Sequence, residues 1–195
     1  MLNNFWHIQF GISKGDELML AELYKQFHKK LLHFSKLITR SQQISEEVVD
    51  DVFVKLWSRR EKVVDIENIT VYLYKAVKNQ SLNALSQKAA ALISQSFDEL
   101  DIELEDVANT PEDLMITEEM RQKMQKAIEA LPPRCKMVFK LIREDGLKYK
   151  EVAEILNISV NTIDVQMAIA IKKICTALNI QKPQKTFTWP LIGKK

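Results

Sequence analysis

Between residues 72 and 88 lysines, amides and tyrosines alternate, as Tyr72, Tyr74, Lys75, Lys78, Asn79, Gln80, Asn83, Gln87 and Lys88. Such side chains recognise; they do not break bonds. An ammonium holds phosphate, a phenol ring offers a stacking face and a carboxamide reads an exposed base edge, a combination that suits single-stranded DNA. Taken singly, each has an ordinary structural role, a tyrosine on a helix being half-buried packing. The residue types of covalent or metal chemistry are sparse. Cys135 and Cys175 are too few and too far apart for a zinc cage and are read as reduced packing residues. Of His7, His28 and His33, the last two fall on different faces of a helix. Four glycines cannot assemble a phosphate loop. No catalytic residue, metal ligand, cofactor or small-molecule substrate is assigned, and nucleotide hydrolysis is excluded.

The elements that must position these groups are helical. A chain of 195 residues suffices for two small modules, each with a modest core. Glycine is absent from Asp16 to Asp145 and the first proline is Pro111, so the usual punctuators of turns and strand ends are missing. An all-α fold of two small helical domains follows. Leu20, Leu23, Tyr24, Phe27, Leu31, Phe34 and Ile38 recur at three- and four-residue steps and form a core-facing stripe. A second helix is read to open at Ile44-Ser45-Glu46-Glu47 with Ser45 as its N-cap, burying Val49, Val52, Phe53 and Leu56. On another face Glu47, Asp51 and Lys55 repeat at four-residue spacing with Asp50 beside them, an acidic ridge whose default reading is solvated surface. Ser58 to Asn68 reads as a loop, and apolar spacing resumes in a third helix from Ile69 to Gln87. No apolar run is long enough to span a bilayer, and Met1 to Gly11 lacks the layout of a secretion signal, so a cytoplasmic address is expected.

Charge divides the chain. The formal net charge is +2, but Ala89 to Met120 holds ten acids and no base. The rest keeps 28 bases against 16 acids, the footprint of a polyanion binder. The acidic stretch reads first as a solvated, self-repelling tether. Its functional alternative is mimicry of nucleic acid inside a partner's basic channel.

The C-terminal module carries a sharper pattern. Helices are expected over Glu119–Leu131 and Arg134–Glu144, separated by Pro132-Pro133, with Asp145-Gly146 ending the second. Tyr149 to Leu156 then forms a short helix, Asn157-Ile158-Ser159 a turn, and a longer helix carries Ile163, Met167, Ile171 and Ile174. This is a helix-turn-helix: Ala153 permits close crossing, Asn157 suits the left-handed turn and Ser159 the cap. Its second helix would present Asn161, Thr162, Asp164 and Gln166 to base edges in a major groove, with Lys148, Lys150, Lys172 and Lys173 near phosphates.

Four segments in this order carry a resemblance: Glu47-Val-Val-Asp-Asp-Val-Phe-Val-Lys-Leu-Trp57, Tyr72-Leu-Tyr-Lys-Ala-Val-Lys-Asn79, Ala130-Leu-Pro-Pro-Arg-Cys135, and Tyr149-Lys-Glu-Val-Ala-Glu-Ile-Leu-Asn-Ile-Ser-Val-Asn-Thr162. The chain from about 16 to 178 closely resembles the extracytoplasmic-function (ECF) group of the sigma-70 family, in the style of Bacteroidetes. The resemblance implies a region 2-like domain over 14–90, an acidic linker over 91–117, a region 4-like helix-turn-helix domain over 118–180 and a tail over 181–195. It implies that Glu47, Asp50, Asp51 and Lys55 dock on the β′ clamp coiled coil of core RNA polymerase, with the β flap as a further contact. Arg59, Arg60, Asn68, Tyr72, Lys75, Lys78, Asn79 and Asn83 are then the minus-10 DNA contacts. Lys148, Lys150, Ser159, Asn161, Thr162, Asp164, Gln166, Lys172 and Lys173 are the minus-35 set. The linker corresponds to the segment that threads toward the RNA exit path, and a membrane-bound anti-sigma factor is the implied regulator.

One departure stands out. Where relatives place Arg, Lys or His on the reading helix, this chain has Asp164, Gln166, Ala168 and Ala170 as its expected groove-facing residues. Weak, less salt-sensitive duplex binding follows, with promoter choice leaning on the N-terminal module. Two rival functions differ in what they bind: a stand-alone helix-turn-helix regulator shifts duplex DNA and ignores polymerase, whereas a sigma-like decoy holds polymerase without initiating.

Overall fold

The computed structural model describes residues 5–94 and 118–179. The acidic segment over 95–117 and the tail over 181–195 lie outside the described residues, and with them the readings made for both. Among the described residues there are eight α-helices, one 3-10 helix and no strand.

The N-terminal module is built on α2 (Glu17–Thr39), whose start is capped by the Asp16 carboxylate, accepting from Leu18 N at 2.9 Å. Its expected stripe is its buried face, with Leu23, Phe27, Leu31 and Phe34 enclosed. Helix α3 (Gln42–Ser58) begins four residues earlier than a cap at Ser45 would place it, and its cap is Ser41, not Ser45. Ser45 lies one turn inside, fully buried. Its hydroxyl donates to Ser41 O at 2.6 Å and shares a hydrogen bond with Thr39 Oγ1 at 2.7 Å. With Ser41 as the cap, the α2–α3 turn leaves no buried hydroxyl unpaired.

Helix α4 (Ile69–Ser94) runs past the expected limit at Gln87 and buries Leu73, Tyr74 and Val77 against α2 and α3. A hydroxyl pair, Ser35 and Ser81, at 2.9 Å ties α2 to α4 inside the core. The expected loop between α3 and α4 holds a 3-10 helix, Arg60–Asp65, anchored by buried Val63. A helix that composition alone did not reveal, α1 (Trp6–Ser13), precedes the expected module start at 14 and packs on this 3-10 helix through fully buried Ile8 and Ile12.

In the C-terminal module α5 (Glu118–Glu129), α6 (Pro133–Arg143), α7 (Tyr149–Leu156) and α8 (Val160–Ala177) enclose Ile128, Val138, Phe139, Val152, Ile155, Ile163, Met167 and Ile174. Pro133 starts α6, where its missing N–H costs nothing. Gly146, at φ 77°, turns the chain after α6. Asn157 takes the left-handed conformation at φ 56°, and Ser159 Oγ caps α8 by accepting from Thr162 N at 3.1 Å. The helix-turn-helix is thus built from the residues expected to build it. The two modules touch: α7 packs on α4, and α6 on α2.

Candidate polymerase and DNA interface

The acidic ridge is exposed along α3. Glu47 accepts from Gln43 Nε2 at 3.2 Å, Asp50 from the Tyr24 hydroxyl at 3.0 Å, and Asp51 from Gln80 Nε2 at 3.2 Å. Lys55 donates to Gln80 Oε1 at 2.9 Å, so Gln80 of α4 ties together two members of the ridge. All four positions face solvent, and their bonds orient the charges without burying them.

Helix α4 divides the eight minus-10 positions between two faces. Arg59, Tyr72, Asn79 and Asn83 line one groove of about 200 Å³ together with Val52, Lys55, Ala76 and Gln80. A guanidinium, a phenol and two amides around a half-open groove can seat a base and hold its phosphate. Arg60 lies beside it, its guanidinium 5.3 Å from the Trp57 ring centroid. The other three, Asn68, Lys75 and Lys78, turn toward the C-terminal module. Asn68 Nδ2 donates to Glu151 Oε1 at 3.0 Å, Lys75 pairs with Glu154 at 3.0 Å, and Lys78 Nζ donates to Ile155 O at 2.7 Å. The acids of α7 therefore occupy positions that the sequence assigns to phosphates and bases. Burial and the charge of Lys75 both lower the pKa of Lys78.

Tyr74 completes this contact. Its ring is buried against Phe34 and its hydroxyl donates to Asp145 Oδ2 at 2.7 Å, while Lys30 Nζ donates to Asp145 O at 3.1 Å. Burial pushes the Asp145 carboxyl up to about 6, against the pull of the Tyr74 hydrogen bond, Lys30 and Lys140; Glu144 adds to the rise. The Tyr74 phenol is raised as well, by burial and by Asp145. Across α2 and α6, His33 is lowered by burial first and then by Lys140, Lys29 and Lys36, with Glu129 opposing. Because the folded pKa of Asp145 lies above its ordinary 3.8, its contribution to stability is full below about pH 4 and is lost as pH rises through about 6. His33 has the opposite sign, its contribution fading as pH falls. The variant Asp145→Asn keeps an acceptor for Tyr74 and removes the charge. Relative to the parent chain it is expected to gain about 1–3 kcal/mol between pH 5 and pH 8, measured as the difference in urea midpoints, with the His33 contribution common to both.

On the helix-turn-helix, Lys148, Lys150, Lys172 and Lys173 are exposed, as are Asn161 and Asp164. Ser159 and Thr162 are engaged with each other at 2.9 Å, so these two hydroxyls serve the cap. Gln166 does not point freely outward: it is half-buried and its Oε1 accepts from the Cys135 thiol at 2.9 Å. Ala170, read as groove-facing, is fully buried. Asp164 and Ala168 are exposed as expected, and the same face also carries two apolar residues not foreseen, Val165, 56% exposed, and Ile169. Apolar groups of this size contact a thymine methyl in a major groove. They escaped the sequence reading because Val165 sits next to Asp164, and alternate polar and apolar positions do not reveal which side a helix end buries.

Two family models match the chain: Sigma-70 region 2 over residues 23–91 and Sigma-70, region 4 over residues 121–174. The first takes in most of α2 and all of α3, the second nearly all of α5 to α8, and α1 falls outside both. The chain belongs to the sigma-70 family. Among similar proteins, the ECF RNA polymerase sigma-E factor of Escherichia coli strain K12 is 27% identical over 159 residues, spanning 78% of this chain and 82% of that protein. The ECF RNA polymerase sigma-E factor of Haemophilus influenzae is 25% identical over 161 residues, spanning 78% of this chain and 83% of its own. Two solved structures share the fold. The sigma factor RpoE in complex with the anti-sigma factor NepR from Bartonella quintana has a TM-score of 0.59 at 20% identity, covering 83% of this chain and 97% of that one. CnrH in complex with the cytosolic domain of CnrY has a TM-score of 0.55 at 15% identity, covering 89% and 96%.

As an ECF sigma factor the chain binds core RNA polymerase and promoter DNA and directs promoter-specific transcription initiation. Sigma factors are initiation factors and not enzymes. No helix among the described residues is long and apolar enough to cross a membrane. The ridge, the groove and the helix-turn-helix follow one another in chain order; the ridge and the groove adjoin, with Lys55 in both, and the helix-turn-helix lies on the other module.

Proposed function

We propose that this sigma factor divides its work among those three surfaces, acting in the cytoplasm and catalysing no reaction itself. The ridge of Glu47, Asp50, Asp51 and Lys55 docks on the polymerase β′ clamp. The groove of Arg59, Tyr72, Asn79 and Asn83, with Arg60 beside it, takes the melted minus-10 strand, and Asn68, Lys75 and Lys78 on the other side meet it once α7 has moved away. The helix-turn-helix reads the minus-35 duplex and meets the β flap. The observation that carries this reading is the groove: four positions singled out for single-strand chemistry line one cavity, directly beside the acidic ridge. A titration with core RNA polymerase, followed by transcription from a pool of promoter fragments, tests it. Tight binding with selective transcripts supports it. Binding without transcripts would make the chain a decoy, and duplex binding without polymerase would make it a stand-alone regulator.

The contact between modules sets a condition on this function. Minus-10 and minus-35 elements lie roughly 25 base pairs apart, about 85 Å at 3.4 Å each. A compact chain of this length has a radius of gyration of only roughly 16 Å. One packed body cannot touch both elements, and Lys75 and Lys78 cannot hold phosphate while bonded to α7. The modules must separate on loading. The residues from 95 to 117 can span up to about 80 Å if extended, so the chain is long enough to allow it. An anti-sigma partner, membrane-bound in the class the sequence suggests, would silence the factor by holding the modules together or covering the ridge.

Minus-35 binding is expected to be weak in its electrostatic part. With four exposed lysines available to phosphates, the log–log salt slope for the duplex element should be no steeper than about −3.6, and Lys172→Ala should flatten it by about 0.9 without changing base preference. Filter binding across a salt series reads both.

A further inference from the structure

Gln9 is a buried amide in a helix that neither family match covers, 1% exposed between fully buried Ile8 and Ile12. Its Nε2 donates to two carbonyls at once, Val63 O and Ile66 O, each at 2.8 Å. These carbonyls close the 3-10 helix Arg60–Asp65 and begin the extended step at Ile66 that leads to Asn68. Asn68 in turn caps α4, its Oδ1 accepting from Val71 N at 3.1 Å. At the other end of the loop, the turn after α1 reaches Arg60: a Cβ added to Gly15, held at φ +85°, would lie 3.9 Å from the Arg60 Nε. Helix α1 therefore holds the downstream end of the segment between α3 and α4 by two hydrogen bonds, the turn after α1 lies close to its upstream end, and that segment carries Arg59, Arg60 and Asn68.

An apolar residue would satisfy the packing at position 9 without the burial cost of an amide. A carboxamide there needs two acceptors in fixed places, and it finds them only when residues 63 to 66 keep this one curvature. The bond energy is modest, but its direction is specific. With the carbonyls released, Val63 still anchors the loop by apolar burial, which has no preferred angle.

We propose that Gln9 is a positioning residue for promoter recognition: it sets the loop so that Arg59, Arg60 and Asn68 meet the minus-10 strand at a fixed place, and so sharpens base choice there. This rests on the assignment of the minus-10 strand to that loop and the groove of α4. Gln9 itself touches no DNA. Loss of its two donors should blur discrimination between bases more than it lowers total output.

The test is transcription by the full-length chain with core polymerase from a promoter library randomised over the minus-10 element. Gln9→Met keeps the volume and removes both donors; Gln9→Asn keeps the amide but is one methylene too short to reach both carbonyls, and serves if the methionine variant does not fold. Ile12→Val loosens the same helix and leaves the amide in place. Either Gln9 variant is expected to narrow the preference for the best over the second-best base by about tenfold while core affinity stays within about twofold. Ile12→Val should keep the parent preference. A uniform fall in output with base ranking and ratios intact would overturn the proposal, as would an equal loss of preference in Ile12→Val. If the parent chain itself shows no minus-10 preference, the underlying assignment fails, and that result is visible before any variant is made.

Discussion

Replacing Glu47 and Asp51 together by lysine is expected to lower affinity for core RNA polymerase by at least about 100-fold, roughly 3 kcal/mol, with the helical circular-dichroism signal unchanged. Both side chains are exposed on α3, and their bonds are surface bonds to the amides of exposed Gln43 and half-buried Gln80. Exposed bonds of that kind contribute little to stability, so the fold should survive their loss. The reversal meanwhile changes the ridge by four charge units and sets like charge against any basic partner surface. The contrast with a structural role is direct. If the double variant loses helicity in step with binding, the ridge was holding α3 and not the polymerase. If it binds normally, docking lies elsewhere on the module. Neighbouring Asp50 should show a smaller effect, because the Tyr24 hydroxyl already engages it and burial together with this contact raises the Tyr24 pKa.

Locking the modules together should abolish transcription. Lys75 and Glu154 meet at 3.0 Å across the α4–α7 contact, on side chains that are 43% and 58% exposed. Cysteines at both positions, Lys75→Cys with Glu154→Cys, would be accessible to a short cleavable thiol cross-linker, whereas Cys135 and Cys175 are buried. The linked protein is expected to lose at least about 100-fold of its promoter output, because one compact body cannot reach both promoter elements. Cleaving the linker should restore the output of the uncrosslinked double variant, which removes the lost lysine from the comparison. A linked protein that transcribes as well as the cleaved one would show that initiation tolerates this contact. The ion pair alone is too exposed to hold the modules. Tyr74 with Asp145 and Lys78 with Ile155 O are the half-buried bonds, and the pH dependence of the Asp145 charge acts on that same surface.

The structure also explains why some positions were legible beforehand and others were not. The stripe from Leu23 to Phe34, the turn at Asn157 and the cap at Ser159 depend on spacing within one helix or on the conformational limits of one residue, and those act locally. The cap was read at Ser45 because that serine precedes two acids, a local cue; its burial beside Thr39, placed by α2, is a contact that puts the cap at Ser41 instead. Helix α1 went unread because its few apolar residues become a face only when the 3-10 helix lies against them. Gln166 was misplaced because its partner, the Cys135 thiol, is on another helix, and no periodicity carries that contact.

By itself the sequence determined an all-helical chain of two basic modules around an acidic segment, with a helix-turn-helix in the second and four motifs whose order marks an ECF sigma factor. These follow from local propensity, from charge, and from the order of residues along one chain. Only the tertiary structure decided that Arg59, Tyr72, Asn79 and Asn83 share one groove, that Asn68 and Lys75 meet the acids of α7 and Lys78 its Ile155 carbonyl, and that Gln9 holds the loop from another helix. Each of those is a contact between segments distant in sequence, and the packing of helix faces sets its geometry.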